Sequence, residues 1–454
     1  MHLKRMIKKE ITMSKLYNYR FVAQIILEAT TPLKTASGKS DFFVDAPVLK
    51  DWNGLPMILG TSIAGVLRKS FEEEKANEIF GKDNGSRLLV SNAHLLDENQ
   101  KLHHSFGLPN SNFLDKYNNL PIREHTAITH KGVAKEHSKF DEEVVFAGSR
   151  FKFELEFLGD KKEDESTWQK ILELLKSPLF RLGGGSSKGF GEMKVESCLE
   201  SSYIIGKDYQ DKPSNLNKPL KNDLDKRRES QEKVCLYKIN IKPDSFFSFG
   251  AGFGDDEVDD IAVTEEIVKW KDDKGAFSEK QILLPASSLK GALSHRVAFH
   301  YNKLKGNSIE TITEPIENYI GENNPAVSSI FGHKKEKDSK GKELGKKGQA
   351  LFSDMFQEFK EDEVKIFDHV KIDRFTGGAI DSALYNEKVM AHKENWNIEI
   401  ILAKEIDDDV IREAFKLTLD DLCNGLLPLG GKVNRGHGIF EGSWTKEGCD
   451  DVEK

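Results

Sequence analysis

Two glycine-rich stretches of one chain decide the fold prediction. The sequence contains LGGGSSKGFG at residues 182–191 and LGGKVNRGHG at residues 429–438. Both keep the leading Leu-Gly-Gly, a cation at the seventh position and the closing Gly-x-Gly. Glycine is expected in such places where the backbone turns sharply or approaches another molecule closely. A second copy of so specific a pattern suggests an internal duplication.

Further matches occur in the same order on both sides of these stretches. They pair residues 60–68 with 285–293, 79–81 with 330–332, and 150–158 with 396–402. Several matches in one order indicate a tandem duplication. We predict a first repeat over residues 14–202, a polar linker over 203–233 and a second repeat over 234–446.

Each repeat shows one coarse order of elements. A strand is followed by a long loop, a helix with a Ser or Thr cap, an irregular middle and a strictly alternating strand. An amphipathic helix, the glycine-rich loop and a last strand complete the unit. Strand–helix–strand occurring twice predicts an α+β fold of two tandem ferredoxin-like domains with irregular insertions. Such a domain exposes an antiparallel sheet, as RNA-recognition modules do.

Composition restricts the function classes. The 454 residues carry a net charge of −8, which argues against a non-specific nucleic-acid coat but permits a local basic groove. No run of about 18 apolar residues predicts a membrane span, and the basic N-terminus lacks the apolar core of a secretory signal. Four cysteines lie far apart, so the pattern supports neither a disulfide framework nor a cysteine zinc site. A reduced, cytoplasmic protein is expected.

The glycine-rich loops and the helix starts are candidate anion sites. Backbone N–H groups beside Lys188 and Arg435 could cradle phosphate. The loops follow a helix and precede a strand, which excludes a Walker loop and a dinucleotide fingerprint. The starts near Ser62 and Ser288 offer further donors. Tight turns and ordinary helix caps remain the structural alternatives.

These residues together resemble the RAMP superfamily. Residues 55–68 and 282–293 resemble its Pro-x-Ser-Ser-Leu-Lys-Gly helix start, and the glycine-rich loops resemble its C-terminal signature. Residues 372–379 are similar to the segment that carries its protruding β-hairpin, the thumb. The resemblance covers most of both repeats and points to two fused backbone subunits of a type III CRISPR effector.

The resemblance implies that the chain binds CRISPR RNA and cuts complementary target RNA beside a thumb. Asp45, in DFFVDAP at residues 41–47, matches the family's catalytic aspartate, which works with a divalent cation such as Mg²⁺ or Mn²⁺. Implied partners are CRISPR RNA, target RNA, a large polymerase-like subunit, a small subunit and other RAMP subunits, with no membrane. The candidate RNA-binding residues are Ser62, Arg68, Lys188, Ser288, Lys290, Arg296, Arg374, Arg435 and His437.

The second repeat departs from this pattern. An alignment on neighbouring apolar residues puts Thr264 opposite Asp45, and Asp260, from an acidic run, is the substitute catalytic candidate. The run could equally be a solvated surface, leaving a repeat that binds RNA without cutting it.

Three alternative functions remain open. The chain could be a non-catalytic structural or capping subunit of the same complex. It could process guide RNA by acid–base chemistry, with His125, His130 and His137 as candidates. Outside the family, it could bind small nucleotides at the glycine-rich loops.

Overall fold

The computed structural model describes residues 17–38, 44–82, 85–160, 164–220, 232–337, 343–391 and 394–449. The first half contains eight strands and four helices within those ranges. Its strands are β1 Tyr19–Ala29, β2 Met57–Ile58, β3 Leu88–Val90, β4 Ala93–Leu95, β5 Ile122–His125, β6 Phe140–Glu143, β7 Arg150–Gly159 and β8 Met193–Ile204. Its helices are α1 Gly60–Arg68, α2 Glu73–Phe80, α3 Asn112–Asp115 and α4 Glu165–Leu175.

The described part of the second half repeats this order with longer connections. Its strands are β9 Cys235–Pro243, β10 Thr264–Glu265, β11 Val268–Lys271, β12 Lys274–Phe277, β13 Gln281–Leu284, β14 Gly332–Lys337, β15 Glu343–Lys347, β16 Ala350–Phe352, β17 Met355–Glu358, β18 Val364–Ile372, β19 Ala379–Met390, β20 Trp396–Leu402 and β21 Phe440–Glu447. Its helices are α5 Ala286–Leu304, α6 Pro325–Phe331 and α7 Asp409–Cys423. The α+β prediction is therefore confirmed.

Each half is built around an antiparallel sheet whose central strand comes first in the chain. In the first half β1 lies between β7 and β8, and β3 and β4 pair with β7. In the second half β9 lies between β20 and β21, and β16 pairs with β20. The alternating residues of β7 and β20 bury one face, as the period-two pattern predicts.

A hairpin protrudes beside each sheet. Strands β5 and β6 form the first hairpin, and β18 and β19 form the second, longer one. We call them thumb 1 and thumb 2. Phe375 at the tip of thumb 2 is completely exposed, and Leu384 within β19 is 72 % exposed.

The two halves share a packed junction. The β11–β12 hairpin of the second half packs on the first core, where Val268 is buried and Phe277 lies 5.1 Å, ring to ring, from Phe113. The Val268 N–H donates to the Ala147 carbonyl at 2.8 Å. The second half thus completes the core of the first half.

The structure bears on two sequence-based expectations. Of the stretch predicted as a linker over 203–233, residues 203–220 pack on the first half, where Leu216 and Leu220 are buried, and residues 221–231 lie outside the described residues. Cys235 and Cys449 form a disulfide although the spacing suggested none. They meet because β9 and β21 are antiparallel neighbours, so the start of β9 lies beside the end of β21.

Candidate nucleic-acid interface

The loop after the first strand meets the thumb in the same register in both halves. Isolated β-bridges join Leu33 to Val145 and Ala46 to Glu142 in the first half. The matching pairs of the second half are Phe247 with Met390 and Asp260 with Glu387. The residue numbers of corresponding loop positions therefore differ by 214. Those of corresponding positions on, or just after, the second strand of each thumb differ by 245.

This register identifies the counterpart of Asp45. Asp45 is exposed, and its Oδ2 accepts the Asp141 N–H at 3.1 Å. Asp259 is also exposed, and its Oδ2 accepts the Asn386 N–H at 3.0 Å. The same carboxylate oxygen thus binds the same backbone position of the thumb, so Asp259 occupies in the second half the place of Asp45.

The alignment of Thr264 with Asp45 is therefore wrong. Thr264 pairs with Ile282 in β10 and corresponds to Lys50, which pairs with Pro56. Asp260 corresponds to Ala46, and its carboxylate binds Lys432 at 2.6 Å. The sequence alignment failed because the loops differ in length beyond these positions.

A histidine–glutamate pair lies at the base of each thumb, next to the aspartate. His125 Nε2 lies 2.7 Å from Glu142 Oε1, and His369 Nε2 lies 2.9 Å from Glu387 Oε1. Each histidine stacks on the aromatic residue two positions before the glutamate. The ring centroids are 5.0 Å apart for Phe140 and 4.9 Å apart for Tyr385.

Both glutamates are buried yet ionised. Burial by itself raises the pKa of Glu142, but bonds from His125 and Lys34 outweigh it and hold the pKa at about 2. Burial also opposes ionisation of Glu387, while Lys432 and His369 lower its pKa below the ordinary value. Each thumb base therefore carries a buried negative charge that is paired with a lysine, Lys34 in the first half and Lys432 in the second.

The glycine-rich loops place one cation above each stacked aromatic ring. Lys188 Nζ lies 5.3 Å from the Phe140 ring centre, and the Arg435 guanidinium lies 5.1 Å from the Tyr385 ring. Gly191 has φ of 73°, and a Cβ there would overlap the Leu182 carbonyl, so only glycine fits this turn. Both cations are exposed, but Arg435 also binds Glu387 at 3.2 Å.

Partners within the chain occupy several of the backbone donors at each helix start. The first turns begin at Gly60 and Ala286 rather than at a Ser or Thr cap. The Gly60 N–H donates to Asn92 Oδ1 at 2.9 Å, and the Ala286 N–H donates to Asp354 Oδ1 at 2.7 Å. The Ser62 N–H donates to the Leu59 carbonyl at 2.9 Å, and the Ser288 N–H donates to the Pro285 carbonyl at 3.0 Å. Ser62 is exposed and Ser288 is half-buried.

Several candidate RNA contacts have partners within the chain. Arg68 donates to the Gly81 carbonyl at 2.8 Å, and Arg296 binds Asp421 at 2.5 Å. Lys290 lies in the junction and donates to Ser187 Oγ at 3.2 Å. Burial lowers the pKa of its ammonium to about 8.

The remaining two candidates differ in access. His437 is 7 % exposed and packs against aromatic rings, so it does not face solvent. Arg374 lies exposed at the tip of thumb 2. Lys188 and Arg374 are therefore the basic candidates that remain most open to a nucleic acid.

A buried charge cluster locks the junction beside the first glycine-rich loop. Arg123 donates to both carboxylate oxygens of Glu265, at 2.5 and 2.9 Å, and binds Asp354. Its guanidinium lies 5.2 Å from the Phe190 ring of the loop. Sequence reasoning missed this cluster because its members are 142 and 231 positions apart.

The described residues hold one group with metal-binding geometry, and it is remote from Asp45. It comprises Cys235, Glu405 and Cys449. The two cysteines form the disulfide, and Glu405 binds Lys446 at 2.7 Å, so these ligand atoms are already engaged. Asp45 does not belong to such a group within the described ranges, and the protein side chains there do not complete a cation site.

These observations define the class of protein: a duplicated α+β chain with paired glycine-rich loops and paired thumbs. A model of the RAMP superfamily matches residues 26–194 and 278–441, so the chain belongs to that superfamily. It is 28 % identical over 254 residues to the "CRISPR system Cms endoribonuclease Csm3" of Methanocaldococcus jannaschii. The match covers 96 % of that relative and 46 % of this chain. Within the described segments no helix is long and apolar enough to cross a bilayer.

Proposed function

We propose that the chain is an RNA-binding backbone subunit of a type III CRISPR effector that holds CRISPR RNA and cuts complementary target RNA. It would consist of two tandem ferredoxin-like RAMP domains, over residues 14–202 and 234–446. The strand order β8-β1-β7-β3 supports this arrangement, because a ferredoxin-like sheet places its first strand between the fourth and the third. The Csm3 relative, matched almost entirely by less than half of the chain, supports two fused units.

The observation that carries the proposal is the placement of Asp45. Its exposed carboxylate lies at the base of thumb 1, held by the Asp141 N–H. The cation of Lys188 belongs to the same surface, above the Phe140 ring. RNA phosphates attract such a cation, while a carboxylate left open to solvent can act on a target backbone displaced by the thumb.

We propose that cleavage needs a divalent cation, Mg²⁺ or Mn²⁺. A hard cation prefers oxygen ligands, and Asp45 would supply one carboxylate oxygen while RNA phosphates supply others. When bound, such an ion stabilises charge on the reacting phosphate oxygens. The chain's own contribution is to fix Asp45 against the thumb.

Guide binding is tested by salt dependence. The variant Lys188→Ala/Arg374→Ala should bind guide RNA more weakly at every sequence and flatten the plot of log K against log salt by about 1.4, for two lost single-strand phosphate contacts. Lys303→Ala/Lys305→Ala is the matched control. It removes two exposed charges at the C-terminal end of α5, a helix that carries neither Lys188 nor Arg374. Equal slopes for both double variants would remove Lys188 and Arg374 from the RNA path.

Cleavage is tested with Asp45→Asn in the guide-loaded complex. This change preserves shape and removes the charge, so guide affinity should persist while the cut beside thumb 1 disappears. Chelation of divalent ions should abolish the same cut. A complex that binds guide and target but never cuts would support the alternative of a structural or capping subunit. Guide processing and nucleotide binding would instead show as activity or affinity without target RNA.

The proposed partners are CRISPR RNA, target RNA and other effector subunits, including a large polymerase-like subunit, a small subunit and further RAMP chains. Membership of the RAMP superfamily and the similarity to Csm3 support this set. Co-purification of the chain from its native host with one discrete short RNA would be the expected sign. Purification free of RNA and of other chains would argue against it.

A further inference from the structure

The second half reproduces the whole arrangement around Asp45, not merely an acidic residue. Asp259 accepts the Asn386 N–H as Asp45 accepts that of Asp141. The next thumb residue in each half is a buried glutamate paired with a histidine. Both histidines stack on an aromatic ring that lies under a cation of the glycine-rich loop.

The ionised glutamate is retained even where its surroundings change. Lys34 binds Glu142 in the first half, but the corresponding loop position of the second half is Ser248, which is buried. The cation on Glu387 comes instead from Lys432, in the second glycine-rich loop. A different residue from a different element thus restores the same electrostatic arrangement, which indicates that the arrangement itself has a role.

Three other acids of the second loop are engaged with side chains. Asp260 binds Lys432, and both Asp255 and Glu257 bind Lys388, at 2.5 and 2.8 Å. Asp259 differs, because its Oδ2 is held by a backbone N–H of the thumb. It therefore stands apart from the acidic run in which it occurs.

We propose that the second half is a second RNA-cleavage centre, with Asp259 as its catalytic carboxylate and the His369–Glu387 pair as its positioning element. The inference rests on the proposed function of the chain. The reaction is the same at both centres. An oxygen nucleophile bonds to phosphorus and releases one proton, the P–O5′ bond breaks, and the leaving O5′ takes up one proton.

The pair positions Asp259 through the thumb strand. Glu387 is completely buried and ties β19 to His369 on β18. Its neighbour Asn386 presents the N–H that holds Asp259. Loosening this pair would shift that N–H, and a displacement of about 1 Å at a reacting group lowers a rate by about 10²-fold.

The experiment maps cuts on an end-labelled target RNA paired to the guide in the complete complex. Wild type should cut at two positions, opposite the two halves. Asp259→Asn should lose the second cut and keep the first, and Asp45→Asn should do the reverse. Asp256→Asn, an exposed acid of the same loop, is the matched control and should keep both cuts.

A positioning role has its own readout. His369→Gln should lower the single-turnover rate of the second cut by about tenfold or more at saturating target. The target dissociation constant and the rate of the first cut should not change. Equal losses at both cuts would indicate general misfolding and overturn the positioning role.

The outcomes separate this inference from the proposed function. If Asp45→Asn removes its cut while Asp259→Asn leaves the pattern of wild type, the second centre is refuted and the proposed function stands. If Asp260→Asn removes the second cut and Asp259→Asn does not, the assignment to Asp259 is refuted. If wild type cuts nowhere, the proposed nuclease function itself fails.

Discussion

Replacing Arg123 by leucine should weaken the junction between the two halves and lower the free energy of unfolding. Its side chain is 6 % exposed and joins thumb 1 to two carboxylates of the second half. Glu265 is equally buried, and Asp354 is completely buried. Arg123→Leu keeps an apolar side chain against the Phe190 ring but leaves both carboxylates without their cation.

The size of the stability loss follows from the two carboxylates that stay buried after the substitution. Removing one partner of a buried ion pair destabilises by about 3–5 kcal/mol, because the other partner stays desolvated. Asp354 relieves part of this by binding a proton, since burial already raises its pKa despite the attraction of Arg123. We therefore expect a loss of about 3 kcal/mol near neutral pH, with a smaller loss in acid.

The assay is chemical denaturation of the full chain, followed by tryptophan fluorescence. Trp168 and Trp396 are buried in the first and second cores and report on each half. Lys116→Ala is the matched control, because the Lys116–Glu266 pair crosses the same junction but is exposed. That control should lose at most about 1 kcal/mol. A loss below 1 kcal/mol for Arg123→Leu would refute the argument that this cluster holds the junction.

Three further predictions concern single sites. The pKa of Glu142 is held at about 2 against an ordinary 4.5, so its stabilisation is complete above pH 4.5 and is lost as the pH falls toward 2. Glu142→Gln should therefore flatten the fall of the unfolding free energy across that window, and an unchanged slope would contradict this. Thiol titration of the denatured chain should count two fewer thiols without reductant than with it, and Cys235→Ser should free Cys449 for the reagent; four thiols in both cases would exclude the disulfide. Phe375→Ala, at a fully exposed tip, should weaken target RNA binding by about 1–3 kcal/mol without lowering the melting temperature, as stacking on a base requires, whereas unchanged binding would remove the tip from the interface.

The regular elements were predictable because each half repeats simple periodic patterns. The alternation at residues 396–402 coincides with β20, and that at residues 150–158 with β7, one residue short. The capped helices were placed within about three residues of their observed starts, although their caps come from elsewhere in the chain. Local hydrophobic periodicity is sufficient for such elements.

The site was predictable only in part, because its partners are joined by tertiary contacts. Asp45 could be named from a resembling motif, whereas Asp259 is recognised only from the ladder between its loop and thumb 2. The histidine and the glutamate of each pair are 17 and 18 residues apart in the first and second thumb, and no local pattern marks them. An alignment of the two thumbs would have identified Asp259. It superposes the histidine of the first strand and the aromatic residue and glutamate of the second strand in both hairpins.

The surface cations illustrate a second limit of sequence reasoning. Arg68, Arg296 and Lys290 are basic residues beside a suggestive motif, and each has a partner within the fold. Charge alone does not tell whether a cation faces a ligand or stabilises its own chain. Burial and hydrogen bonding decide this, and both are properties of the folded molecule.

The most direct test of the account is the number of cuts that one complex makes in one target strand. Two equivalent centres, at Asp45 and Asp259, predict two products from a single labelled target, separated by the step between the two thumbs. The double variant Asp45→Asn/Asp259→Asn should bind guide and target normally and produce neither. A single cut that survives in the double variant would contradict the account, because cleavage would then belong to another residue or another subunit.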